Sequence, residues 1–256
     1  MKKTLVILTI VLALAPAAQA TSYQHLKENA ARNADSLYRA AKYEEAAKEY
    51  EQVLAAGYTS ADLYYNLGNT YYRLGLMGQS ILNYERALRL NPGMDDAKEN
   101  LELANSKTVD RITVMPRLFL VKWYNALCTG ITPGTWQAIV LILLALVGAA
   151  VALFFLARRI GVRKGALISV AGFGVLLLLS VLFLVVSTLR FNAREGAIVI
   201  QPTVTVKSSP ELQSVDKLIL HEGTKVSVGD SLSGWYKITL ADGTTGWCQT
   251  ENIERI

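Results

Sequence analysis

Cysteine and histidine are nearly missing: Cys128 and Cys248 are the only thiols, and His25 and His221 the only imidazoles, in 256 residues. Two thiols cannot build a disulfide framework or a four-ligand zinc site. Catalysis through histidine would rest on one of two isolated rings. The sequence also has no G-x-x-x-x-G-K-[ST], no H-E-x-x-H, no G-x-S-x-G and no C-x-x-C, so no catalytic, metal or cofactor site is expected. Gly172-Phe173-Gly174 sits inside an apolar run and lacks the third glycine and the strand-to-helix setting of a dinucleotide loop. Acidic residues vanish from 118–194, which carry seven basic side chains and no acid. What remains is oily: 52% hydrophobic, 18% charged, mean hydropathy +0.27. That is too apolar for an ordinary soluble chain and too charged for one wholly in a bilayer, so the expected class is a multidomain membrane protein.

The net charge of +5 invites a nucleic-acid reading, and its distribution removes it. Residues 21–117 hold 12 basic and 13 acidic side chains, and residues 195–256 hold 5 and 8. The excess lies entirely beside hydrophobic segments, where Lys and Arg report topology. No nucleic acid is expected as a partner.

Residues 1–20 place Lys2 and Lys3 before a ten-residue apolar run and end in Ala18-Gln19-Ala20, the layout of a secretory signal peptide; cleavage there, or retention as an anchor, both export the rest. Residues 136–157 and 165–189 are free of charge and exceed the ~20 residues a bilayer span needs. The loop 158–164 between them carries four positive charges and is expected in the cytoplasm, leaving the flanking soluble parts together on the periplasmic side of a bacterial inner membrane. Residues 111–135 mix Trp123, Tyr124 and Lys122 with apolar residues, and read either as an interfacial segment or as a juxtamembrane linker. Gly148 with Ala152, and Gly165 with Ser169, are small-residue pairs that would let helices pack closely.

Residues 21–110 repeat at a period of 34, which sets Tyr38-Arg39 on Tyr72-Arg73, Ala46 on Ser80, Tyr50 on Tyr84 and Glu51 on Glu85. Tyr64, Leu67-Gly68, Tyr71, Gly75, Ser80, Tyr84, Ala87 and Pro92 resemble a tetratricopeptide repeat. Gly68 and Ala87 would allow two antiparallel helices to approach closely, and Pro92 would end the second. The first copy departs from the pattern, with Asn33-Ala34 for Leu-Gly and Tyr58 for Pro. Residues 95–106 read as one further helix that caps the stack. Two repeats and a cap are short for independent stability, so the leftover surface is expected to pack on a partner or on the chain itself.

From 195 to 256 the pattern changes to short β-prone runs at 197–200, 203–207, 217–220, 225–228, 235–240 and 246–249, separated by turns at 208–210, 222–223, 228–230 and 241–243. Gly223 before a Val-x-Val strand, Gly234-Trp235-Tyr236, Asp242-Gly243 and Gly246-Trp247 resemble the bacterial Src-homology-3 domain, which implies a small all-β barrel.

Binding surfaces are the surviving functional candidates. In the repeats, the first helix of each pair lines a concave groove, which puts Tyr65, Asn69, Tyr72 and Arg73 there at helical spacing, with Tyr38 and Arg39 supplied by the first copy. Asn69 would bracket a peptide backbone and Arg73 a carboxylate; the plainer alternative is that the tyrosines pack and Arg73 pairs locally. The carboxylate-clamp form of the family carries Lys where this chain has Ala31 and Tyr65. In the tail, Trp235, Tyr236 and Trp247 form either an aromatic ligand strip or part of the small core.

The order of segments, from signal peptide through repeats and a two-span hairpin to a Src-homology-3 tail, resembles the BatE-like family of the Bacteroides aerotolerance operons. The resemblance implies a membrane-anchored, non-enzymatic adaptor. Its expected partners are sibling membrane proteins with von Willebrand factor A domains and a MoxR-type ATPase. The alternative expectation is an envelope anchor whose tail binds peptidoglycan.

Overall fold

The computed structural model describes residues 31–112, 118–193 and 195–256. The expected signal peptide and His25 lie outside them. The described part of the first helix, α1, covers 31–39. It is followed by α2 (Tyr43–Ala55), α3 (Ala61–Leu74), α4 (Met77–Leu90) and α5 (Asp95–Ser106). Ser60 caps α3 by accepting from the Leu63 N–H at 3.1 Å, and Gly75 ends it in the left-handed region. A Cβ on Gly68 would stand 2.7 Å from the Tyr84 ring, so only glycine lets α3 and α4 come this close. Ala46 and its period mate Ser80 are wholly buried, as is Ala87 further along α4.

The 34-residue period also repeats a polar ladder. Tyr50 donates to Asp35 Oδ1 at 2.5 Å, and Asn66 donates to the same oxygen at 3.2 Å. One repeat later Tyr84 donates to Asn69 Oδ1 at 2.7 Å, and Asn100 donates to it at 2.8 Å. Each step ties three consecutive helices together through one acceptor, and satisfies the phenol that burial carries into the core.

Three apolar helices follow: α6 (Phe119–Thr129), α7 (Pro133–Leu156) and α8 (Ile160–Ala193). Thr132 caps α7 with Pro133 at its first position. α7 and α8 are long and apolar enough to cross a membrane, at 24 and 34 residues, or ~36 and ~51 Å. They pack as an antiparallel hairpin in which few side chains are fully buried. The basic stretch is mostly not a loop: Ile160–Lys164 already belong to α8, and only 157–159 turn the chain. Gly148 and Gly165 meet nothing within 4 Å of an added Cβ, so the small-residue pairs do not form the hairpin contact. Ala150, Ala166, Ser180 and Ser187 are buried instead, and Trp136 stacks on Phe183 at 5.3 Å. α6 lies against α8 through Tyr124 and Phe183, while Phe119, Leu120 and Trp123 face outward.

The C-terminal part is an antiparallel sheet of seven strands: β1 (Gly196–Val199), β2 (Thr203–Lys207), β3 (Asp216–His221), β4 (Lys225–Leu232), β5 (Trp235–Thr239), β6 (Thr245–Gln249) and β7 (Ile253–Arg255). Their order is β3-β2-β6-β5-β4-β1-β7. The edge strands β3 and β7 do not pair, so the sheet is open where a barrel would close. Asp110 holds the His221 N–H at one edge, and Arg86 donates to the Arg255 carbonyl at the other. Two details differ from the sequence reading. β4 runs on through 228–230, with a register irregularity there, and turns instead at Ser233-Gly234, whose positive φ values of 48° and 83° suit a two-residue hairpin. A short 3₁₀ turn at 250–252 precedes the unexpected β7.

The repeats and the sheet share a core. Ile81, Leu82 and Tyr84 of α4 pack with Ile198 of β1 and Ala104 of α5. Gly78 lets α4 touch the end of β1: its Cβ would lie 2.9 Å from the Val199 carbonyl oxygen. Gly223, at φ +84°, sits where a Cβ would strike Thr108 and Ile81. Around this seam Lys225 pairs with Glu85 at 2.6 Å and Arg86 with Glu254 at 2.8 Å. Asp110 receives the His221 N–H at 2.7 Å and the Thr224 hydroxyl at 2.6 Å, and faces His221 Nδ1 at 2.8 Å. The surface left over by a short repeat stack is thus covered by the chain's own far end. Because the two parts touch, they leave the apolar hairpin at the same end.

Candidate protein-binding groove

Sheet docking uses α4, the second helix of its repeat, and leaves the α1/α3/α5 face open. A hollow of about 190 Å³ on that face is lined by Tyr38, Asn69, Tyr72, Arg73, Tyr84, Asn100 and Leu103. Four of the six residues singled out from the sequence therefore meet there. Arg39 is exposed and outside it, and Tyr65 stands beside it, accepting from Asn100 Nδ2 at 3.2 Å.

The roles inside the hollow differ from the expectation. Asn69 spends its carboxamide oxygen on the internal ladder, so its first duty is structural. Its amide nitrogen donates no hydrogen bond among the described residues. Arg73 pairs with no acid among the described residues; Nε and Nη2 both donate to Tyr43 Oη, at 3.1 and 2.9 Å, and the guanidinium lies 5.2 Å from the centre of that ring. A half-buried phenol orients the fork and leaves its charge available for an incoming carboxylate. Tyr38 meets Tyr43 edge-on at 5.4 Å, completing an aromatic shelf under Arg73. Lys107 closes the other rim over the Tyr72 ring at 4.2 Å. Burial raises the phenol pKa of both Tyr38 and Tyr84, which keeps them neutral at physiological pH. The groove is aromatic, hydrogen-bonding and positively charged at its rims, which suits an extended segment with an acidic group.

Sequence reasoning missed Tyr43, Lys107 and Asn100. Asn100 was within reach of the 34-residue period, since it stands one repeat after Asn66. Tyr43 and Lys107 carry no periodic signal.

In the sheet, register separates the three aromatic candidates. Trp235 pairs with Gln249 and Lys237 with Trp247, so the two tryptophans share one face diagonally. Tyr236 pairs with Cys248 on the core side, packs against that core and lies under Arg255 at 4.8 Å. Trp235 is itself buried, and Trp247 is half-buried.

Residues 32–95, a quarter of the chain, match the tetratricopeptide repeat family. No curated protein matches the chain. The repeat region is therefore a tetratricopeptide domain, a non-catalytic protein-interaction fold, joined here to two apolar helices and an antiparallel sheet.

Proposed function

We propose that the chain is an inner-membrane-anchored adaptor that holds a partner protein in the α1/α3/α5 groove, as part of a Bat-type aerotolerance complex. The observation that carries this reading is that the sheet covers α4 and leaves the groove open, with Arg73 poised on neutral aromatic support. The α7–α8 hairpin would anchor the body, with the repeats and sheet on the periplasmic side and Arg158, Arg159, Arg163 and Lys164 at the cytoplasmic end. Packing of both soluble parts at one end of the hairpin supports that topology, as does the charge-free length of the spans. The von Willebrand factor A and MoxR-type partners follow from segment order. A Src-homology-3-like tail then serves as a docking block for the repeats. Peptidoglycan binding through Trp235, Tyr236 and Trp247 has less support, because these side chains do not share one exposed face.

The test is affinity purification of the full chain from native membranes, comparing wild type with Arg39→Ala/Arg73→Ala. Both arginines are exposed and outside the ladder, so folding is unaffected, whereas Asn69→Ala would confuse binding with stability. Loss of specific membrane partners supports the adaptor, and their identity tells whether the complex is of the Bat type. An unchanged partner set would sink the groove as the binding site.

A further inference from the structure

A larger cavity lies elsewhere. A cleft of about 960 Å³ separates the hairpin's upper end from the body above it, bounded by the ends of α6, α7 and α8 below and by α4, β1 and β4 above. That volume lies within the range of small-ligand sites. Its charged wall consists of Arg89, Lys98, Arg190 and Lys225 against Glu85 and Glu195. Lys225 is matched by Glu85. Lys98 reaches Asp95 on its own helix, an exposed pair of little strength. Among the described residues Arg190 has neutral partners: it donates to Asn125 Oδ1 at 2.9 Å and stacks over Tyr124 at 5.0 Å. These contacts hold the guanidinium in place and leave its charge unmatched. The N-terminus of the 24-residue helix α7 opens into the same cleft through Thr132 and Pro133, adding the positive end of a helix dipole. Basic residues at this end oppose the orientation rule, which favours them at the other end of the hairpin. An oriented arginine there with no acid against it calls for a local anion.

We infer that the junction cleft binds the phosphate of an anionic phospholipid headgroup, held between Arg190, Lys225 and the start of α7. The inference rests on the membrane-anchored reading, which places the cleft at headgroup depth beside Trp136 and Tyr124, where aromatic side chains collect. A bound lipid would brace the body against the hairpin.

The test uses the full chain reconstituted in nanodiscs and then released for native mass spectrometry, with phosphatidylglycerol and phosphatidylcholine as probes. Wild type should retain phosphatidylglycerol preferentially. Retention should fall about 30-fold in Arg190→Gln/Lys225→Gln, as expected for removal of two surface charges. Arg190→Lys should restore most of it, and Arg163→Gln, at the opposite end, should leave it unchanged. Equal retention of the two lipids overturns the inference, as does an equal loss in Arg163→Gln or a co-purifying protein in place of lipid. Glycerol 3-phosphate is added as competitor: displacement reassigns the site to a soluble phosphate ester, and resistance assigns it to lipid. Failure to enter nanodiscs at all counts against the hairpin itself, which separates the two readings.

Discussion

Replacing Gly78 with alanine should destabilise the protein, although helix propensity alone predicts the reverse. Gly78 is in the first turn of α4, where alanine is favoured by up to about 1 kcal/mol over glycine. The added methyl, however, would lie 2.9 Å from the Val199 carbonyl oxygen, 3.4 Å from the Gly223 nitrogen and 3.4 Å from Ile200 Cα. All three are backbone atoms, so no side chain can swing aside. α4 must back away from the sheet by several tenths of an ångström, loosening the Ile81–Ile198 contact and the hydrogen bond from the Gly78 N–H to Glu222. Overpacking of this kind costs about 1–3 kcal/mol. Against the propensity gain, the net loss is about 1–2 kcal/mol, or a Tm roughly 3–6 °C lower for a chain of this size. Thermal unfolding of the detergent-solubilised chain, followed by the fluorescence of Trp235 and Trp247, measures it. An unchanged or raised Tm would refute the helix-on-sheet docking.

Other outcomes follow from the same geometry. Asn69→Ala should cost about 1–3 kcal/mol in chemical denaturation, because it strands the buried Tyr84 hydroxyl, whereas Tyr84→Phe should cost about 1 kcal/mol. Asp110 is partly buried, which by itself raises its pKa, but hydrogen bonds from Thr224 and His221 outweigh this and hold it below the usual carboxylate value. Its contribution is therefore complete above about pH 4 and fades as pH falls through the lowered pKa. Hydrogen exchange at the His221 amide should show that acid loss, and Asp110→Asn should abolish it. Burial pushes the Cys248 thiol up to about 11. Maleimide at pH 7.5 should leave this cysteine untouched until the sheet unfolds.

Much of the architecture is legible in the residues because it is local. A 34-residue period, charge-free runs and alternating β-prone stretches each report on neighbours a few positions away. What escaped is non-local. Gly78 and Glu222 are 144 positions apart, and nothing near either reveals their contact. Ser233-Gly234 went unread as a turn because Gly229-Asp230 offers similar turn chemistry four positions earlier, and only pairing with β5 decides between them. Analogy between repeats pointed to the α1/α3/α5 face, and Tyr38, Asn69, Tyr72 and Arg73 line the hollow there. Asn69 was given a ligand to hold because the donors that occupy its carboxamide oxygen, Tyr84 and Asn100, lie on two other helices. The alternation of faces in β5 would have set Tyr236 apart from Trp235 in advance, since adjacent strand residues point oppositely.

The seam between α4 and β1 has a consequence for biogenesis. In the membrane-anchored reading, the ribosome delivers Ile81 long before Ile198, and two spans must be threaded between them. Until the second span returns the tail to the side of the first soluble part, half of the shared core stays bare. Contacts of such long sequence separation form late. A chain threaded with only one span would strand its two halves on opposite faces of the bilayer, each showing an apolar surface to chaperones and proteases. In that reading, the seam can close only once both spans have been inserted and the two halves stand on one face of the bilayer.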